Sequence, residues 1–430
     1  VKVQQINSVL QPRLQRPKDW KQGAADGVTL GVASAAGALL GPMAGAGAGA
    51  VGGAAAESMV VREYNLQNAT QLIARQAAVG LTAGLGAGLS AAYLDLGLGA
   101  FHPALCMAVG LALGGAAAVL LPQRAESAIP QHWANLETTQ APELWQRGLT
   151  GQGVGVAVLD TGADDHPSLR GNIVAFHNFV GDQQKLHDTH DHGTAMSGII
   201  SGHGKDHKYP AVAPNSQLIV LKVADATGKV DMEKVAEAIR WATENRQQHN
   251  IRVLNLSFAA DPGDDPAQLA NIAKAVDEAS AQGLIVVASA GNDGPEATVM
   301  EAPAAASTAL AVASQDCLAS TRPGQHMISD FSHRSLPGSK APTVTAPGSG
   351  WLQPVRGGGY ALDSGTSQAA AALSGVMALW SEAVPGLTVD QARSALEHTS
   401  VSLEVQPEEQ GAGSVRARAG LDYLLAQASR

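Results

Sequence analysis

Cysteine is almost absent: the 430 residues hold two, Cys106 and Cys317, far apart in the chain. That excludes a disulfide framework, and both are expected as small buried apolar side chains. Aromatic residues are scarce too, at 4%, although 45% of the chain is hydrophobic. Gly and Ala fill the difference, which suits an α/β core of small side chains and equally suits tightly packed membrane helices. Basic charge is missing where nucleic acid would need it. Residues 1–126 hold eight Lys/Arg against six Asp/Glu, so of the net charge of −10 residues 127–430 carry −12. No basic footprint is left to neutralise phosphates, which excludes a nucleic-acid partner. An initiator Met is lacking as well: the chain begins at Val1, as expected of a processed product or an excerpt, and whether a leader preceded it stays open.

What is present divides into zones. Residues 1–26 are polar and basic, with Arg13, Arg16, Lys18 and Lys21 close together. Residues 27–123 form a Gly/Ala-rich hydrophobic region, 124–137 a linker, and 138–430 an ordinary globular domain. Within the second zone, 27–56, 76–94 and 103–123 contain no Asp, Glu, Lys or Arg. A membrane-spanning helix needs about 20 apolar residues, so each run is long enough. Gly37, Gly41, Gly45, Gly49 and Gly53 recur every fourth residue, as do Gly80, Gly84 and Gly88. That spacing strips one helical face of side chains and lets helix backbones approach closely. In water each interior Gly costs about 1 kcal/mol of helix stability relative to Ala. The region is therefore expected to be helical in contact with lipid or shielded by a partner such as a chaperone; a low-complexity linker is the other reading. Pro42 and Asp95 interrupt the apolar runs, and topology stays open.

From about residue 129 short apolar runs alternate with helical periodicity. Strands are expected at 155–160, 217–223, 252–258, 283–289 and 309–313, and helices at 230–249, 266–282, 365–383 and 389–398. Such alternation predicts an α/β fold with a mainly parallel sheet between helices.

Four segments place reactive groups at element ends. Asp160 closes the run GVAVLD, where a parallel strand presents its last side chain at the sheet's carboxyl edge. His192 lies in DHGTA at a helix start, within the cluster His187, Asp188, His190, Asp191 and His192. A metal site would need ligand pairs on rigid elements; this stretch reads as a polar loop, so no metal and no cofactor are expected. Ser367, in SGTSQAA, opens a long apolar helix whose free amides favour negative charge. Asn292 ends the run ASAGN with a side-chain amide able to donate. Each alone reads as a turn or capping residue. Together they supply a nucleophile, a base, a group that orients the base and an oxyanion donor, the set that serine-type peptide hydrolysis requires.

In the order Asp…His…Asn…Ser, the blocks VAVLDTG, HGTAMSG, ASAGN and SGTSQAA resemble the signature blocks of the subtilisin-like serine protease (subtilase) family. The likeness covers roughly 138–430 and does not reach 1–130. It implies a subtilisin-like three-layer domain and a serine endopeptidase acting on peptide or protein substrates through an acyl-enzyme. Ser367 would then attack the scissile carbonyl, His192 carry the proton, Asp160 fix the imidazole tautomer and Asn292 hold the oxyanion. Ser257, Phe258 and Ala259 would line the substrate cleft, and Ser289, Ala290 and Gly291 would form a wall of the primary specificity pocket. With the Gly/Ala-rich region attached, the protease is expected at a membrane or exported as an effector. Ala195, Ala259, Gln368 and Ala371 depart from the family pattern, replacing its usual His, Gly, Met and Pro. These changes leave a second reading, a catalytically idle peptide-binding module of the same fold. Ser168 stands where a calcium-binding Asp would be expected, and 202–209 lacks the usual ligand loop, so calcium dependence is not expected. No inhibitory pro-segment is recognisable in 1–137.

Overall fold

A computed structural model describes residues 131–204, 209–225, 227–260, 263–295 and 300–429. The Gly/Ala-rich region 27–123, the basic segment 1–26 and Cys106 lie outside the described residues. Among the described residues no helix is long and apolar enough to cross a membrane.

Two short helices open the described chain, α1 (Gln131–Thr139) and α2 (Ala141–Trp145). The second half of the stretch read as a linker is thus helical, and Ala134 and Leu136 on α1 are fully buried. The strands β1 (Gly155–Asp160), β2 (Ile173–Asn178), β3 (Gln217–Lys222), β4 (Ile251–Leu256), β5 (Ile285–Ser289) and β6 (Leu310–Asp316) follow. They lie side by side in the order β2-β3-β1-β4-β5-β6, all parallel. Beyond β6 the short β7 (Met327–Ile328) pairs antiparallel and β8 (Val344–Pro347) parallel. Because β1, β3, β4 and β5 run the same way, their last residues Asp160, Lys222, Leu256 and Ser289 meet one edge of the sheet. That edge is where open parallel sheets gather function.

Side chains alternate across the sheet, so each strand feeds two cores. Val156 and Val158 pack with Val220, Val253 and Val287 on one face; Ala157 and Leu159 pack with Leu221, Leu254 and Val286 on the other. The first face is covered by α3 (His192–Ile200) and α6 (Thr366–Ala383), and the second by α4 (Met232–Glu244) and α5 (Pro266–Ala281). The result is a three-layer α/β domain. Asp231 and Asp265 cap α4 and α5 by accepting from the free amides of their first turns. Helix α6 is buried on every side from Thr366 to Ser381, which explains its Ala-rich, unperiodic sequence. Later come α7 (Val389–Thr399), opened by a Thr388/Gln391 capping box, a short α8 (Pro407–Gln410) and α9 (Ala417–Ala428).

Several elements escaped the periodicity, β2, β8 and α9 among them, and one of these bears on the site. Residues 351–363 fold as an antiparallel hairpin, β9 (Trp351–Val355) and β10 (Gly359–Asp363), around a tip of three glycines. Gly357 and Gly358 adopt φ of 78° and 82°, a conformation that side chains disfavour. The hairpin leads straight into α6 and so into Ser367.

Candidate active site

Asp160 ends β1 almost fully buried, and its carboxylate meets the imidazole of His192, the first residue of α3. Nδ1 lies 2.8 Å from Oδ1 and 2.9 Å from Oδ2. A carboxylate can only accept, so Nδ1 carries the proton and Nε2 is left with its lone pair. The approach is close because Gly193 has no side chain: a Cβ there would collide with the Gly162 carbonyl oxygen. Burial alone would lower the pKa of His192, but the adjoining Asp160 carboxylate, with Asp363 and Asp188 farther off, raises it above the ordinary value of 6.5.

Ser367 is the second residue of α6, so its backbone N–H has no intrahelical acceptor and faces the open end. Its Oγ donates to the Ser257 carbonyl at 3.0 Å, and the Ser257 hydroxyl donates to the Ser367 carbonyl at 3.1 Å. A hydroxyl has one proton to give. In this conformation it therefore goes to β4's extension and not to His192.

Asn292 follows β5 by three residues and reaches the start of α6. Its Oδ1 accepts from the Thr366 N–H and from Thr366 Oγ1, both at 2.8 Å. An N–H can only donate, so the amide is fixed with Oδ1 toward Thr366 and Nδ2 free to donate on the other side. The expected pocket residues assemble nearby: Ser289 Oγ donates to the Phe258 carbonyl at 3.3 Å, and Gly291 N–H to Thr366 Oγ1 at 3.3 Å. Ala290 N–H is tied to Val312 O of β6 at 3.0 Å, while Ala259 is half-buried.

Several supporting residues were not singled out from sequence. Ser374 donates to Asn255 Oδ1 and Asn255 Nδ2 to Ser257 Oγ, both at 2.9 Å, a buried polar chain running from the middle of α6 to the Ser367 carbonyl. Thr366 holds Asn292. The tip of the β9–β10 hairpin is fastened to the loops beside Asp160 and His192. Arg356 pairs with Asp191 (Nε to Oδ1, 2.6 Å), Gly357 N–H donates to Asp164 Oδ2 (2.8 Å), and His166 Nε2 donates to the Gly359 carbonyl (2.9 Å). For Asn255 and Ser374 the signal in the sequence was a polar residue inside an apolar run; the loop residues gave none.

The departures from the family pattern acquire reasons. Gln368 is buried and donates to Gln353 Oε1 (3.2 Å) and Asp363 Oδ2 (3.3 Å), joining α6 to the hairpin. Ala195 and Ala371 sit in the core on α3 and α6. Ser168 is buried with its hydroxyl 2.7 Å from His166 Nδ1. Part of the 202–209 loop lies outside the described residues. Among the described residues no group of three or more His, Cys, Asp or Glu could hold a metal ion. Within the His187–His192 loop, Asp188 turns inward to accept hydrogen bonds, and His187 Nδ1 meets the Lys185 carbonyl. Cys317 is a free buried thiol, pushed by burial up to about 12 and thus unreactive.

Comparison with known proteins bears on the family and the fold. A family model described as "Subtilase family" matches residues 151–414. Serine protease AprX from Bacillus subtilis (strain 168) is 29% identical over 306 residues, 65% of this chain and 69% of that protein. Subtilisin BL from Lederbergia lenta is 32% identical over 268 residues, 62% of this chain and 91% of that protein. Among solved structures, Sphericase is similar at a TM-score of 0.52 and 28% identity, covering 58% of this chain and 84% of that one.

Proposed function

We propose a catalytic cycle for this chain from one premise: it belongs to the subtilase family and is a subtilisin-like serine endopeptidase. Substrate enters along Ser257–Ala259, with its side chain before the scissile bond against Ser289–Gly291. Ser367 turns between staggered χ1 wells, moving its proton from the Ser257 carbonyl to His192 Nε2. Oγ attacks the scissile carbonyl as His192 takes the proton; Asp160 holds the resulting imidazolium. The oxyanion is met by Asn292 Nδ2 and the Ser367 N–H. His192 then protonates the leaving amine, water replaces it, and the acyl-enzyme is hydrolysed by the same steps in reverse. The observation that carries this reading is the Asp160–His192 contact at the carboxyl edge of the sheet, beside a helix whose first turn bears Ser367. Cleavage of a random peptide library by the full chain, with a fluorophosphonate probe recovered on Ser367, tests it. An unlabelled Ser367 would leave the idle peptide-binding module standing.

Asn292→Leu should leave KM within a few-fold and lower kcat by about 10²–10³, the cost of removing one oxyanion donor in this family. Steady-state kinetics on a chromogenic peptide would check it; a rise in KM with kcat unchanged would remove Asn292 from the oxyanion site.

For residues 27–123 the sequence supports a membrane or delivery role, through three charge-free runs and glycines spaced by four. The full chain should float with liposomes while a chain lacking residues 1–125 stays at the bottom of the gradient. If both sediment alike, a chaperone-bound or linker role replaces it.

A further inference from the structure

Behind the Asp160–His192 contact lies a second layer of charge, none of it used in the steps above. Asp188, four residues before His192, is buried and accepts four hydrogen bonds. Oδ1 takes Thr161 Oγ1 (2.7 Å) and His190 N–H (2.9 Å); Oδ2 takes Thr194 N–H (2.9 Å) and Thr194 Oγ1 (2.5 Å). The directions are forced. A carboxylate only accepts, so each hydroxyl gives its proton to Asp188, while Thr161 Oγ1 accepts from Gly193 N–H (2.9 Å) and Thr194 Oγ1 from Asp164 N–H (2.9 Å). Every neighbour of this carboxylate is a donor.

On the other side of Thr161 stands Lys222, at the end of β3 and opposite Asp160 in the strand register. It is 3% exposed, and its Nζ spends all three protons on Thr161 O (2.6 Å), Thr189 Oγ1 (2.8 Å) and Ala224 O (2.8 Å). The two charges do not touch; Thr161 and Thr189 stand between them. Thr161 is thereby gripped from both ends, its hydroxyl by Asp188 and its carbonyl by Lys222, while its N–H donates to Asp160 Oδ1 at 2.7 Å.

We propose that Asp188 and Lys222 are positioning residues: a buried pair of opposite charges that clamps Thr161, and through it the Asp160 carboxylate, to the first turn of α3, where His192 begins. This rests on the assignment of His192 and Asp160 to the triad. The clamp acts on two elements that the chain brings from 32 residues apart, and nothing covalent sets their separation. Misplacing such a pair by about 1 Å can cost on the order of 10²-fold in rate. Burial would push Asp188 up, but its hydrogen bonds from Thr194, His190 and Thr161 outweigh that and hold it below the ordinary carboxylate range, so it stays charged. As an anion it also favours the imidazolium.

Asp188→Asn preserves shape and reverses one half of the group. Whichever way the amide turns, its NH2 faces a backbone N–H, of His190 or of Thr194, so two donors meet, and the hydroxyl beside them loses the acceptor for its own proton. Rates normalised to fluorophosphonate-titrated sites should show kcat lowered by about 10–100-fold with KM little changed. The acid limb of kcat/KM should also move to lower pH, because the imidazolium loses one of its anions. The other charged and titratable groups around His192 remain in place: Asp160 on β1, His190 and Asp191 on its own loop, Asp363 on β10, Arg356 at the hairpin tip and Lys222 on β3. Thr161→Val, which loses only the gripped hydroxyl, should lower kcat similarly, and Thr161→Ser should restore it; this pair serves if Asp188→Asn does not fold. Titrated kcat at the wild-type level in Asp188→Asn, or in Thr161→Val, with an unmoved acid limb overturns the clamp while leaving the triad. A wild-type chain whose Ser367 takes no probe overturns both.

Discussion

Ser367→Ala should eliminate peptide hydrolysis and fluorophosphonate labelling together, with kcat falling by about 10⁶, as it does when enzymes of this catalytic type lose the nucleophile. Fold and substrate affinity should survive. The Oγ makes one hydrogen bond, to the Ser257 carbonyl, and the backbone link in the other direction, Ser257 Oγ to the Ser367 carbonyl, remains. The polar chain Ser374–Asn255–Ser257 still anchors α6 to β4. A peptide ligand should therefore bind the variant with nearly unchanged affinity, which calorimetry can read. Turnover at the wild-type rate would remove Ser367 from the chemistry altogether.

Asp160→Asn should be nearly as damaging, on the order of 10⁴ in kcat at neutral pH. The cause is the tautomer. Thr161 N–H donates to Oδ1 at 2.7 Å, so in the variant the amide oxygen keeps that side and its NH2 takes the Oδ2 position, 2.9 Å from Nδ1. A donor there favours the imidazole with its proton on Nε2, the nitrogen that must act as base. In the wild type kcat/KM should fall as pH drops through a value above 6.5, because the anions around His192 hold its proton and the base works only when neutral. A pH–rate profile checks this: a wild-type acid limb at or below 6.5 would contradict the raised pKa, and an Asp160→Asn kcat within tenfold of wild type would exclude the orienting role.

Much of the sheet was legible because its strands are short apolar runs buried on both faces, and the helices between them show a helical period, as over 230–249 and 266–282. The edges were less so. Residues 131–137 carry no strong apolar period, yet they are helical, because α1 is bound by tertiary contacts such as Asn135 Nδ2 to the Ser349 carbonyl at 2.9 Å. The β9–β10 hairpin was hidden for a similar reason: its pairing is with itself and with Asp164, Asp191 and His166 from far along the chain. Of the candidate site, Asp160, His192, Asn292 and Ser367 stood out because each closes or opens an element within a short motif. Asp188 did not, since a carboxylate in a His/Asp-rich loop looks like a solvated or metal-binding group until its four donors are seen.

By itself the sequence determined the family, the alternation that makes a parallel sheet, and which side chains could carry the chemistry, because those depend on local order and residue type. Tertiary structure alone decided which way each polar group faces. The Ser367 proton rests on Ser257, the Asn292 amide is turned by Thr366, Gln368 is absorbed into a link with Gln353 and Asp363, and Thr161 is held between Asp188 and Lys222. Hydrogen-bond direction is a property of neighbours in space, and these neighbours come from strands, helices and loops whose order along the chain does not reveal that they meet.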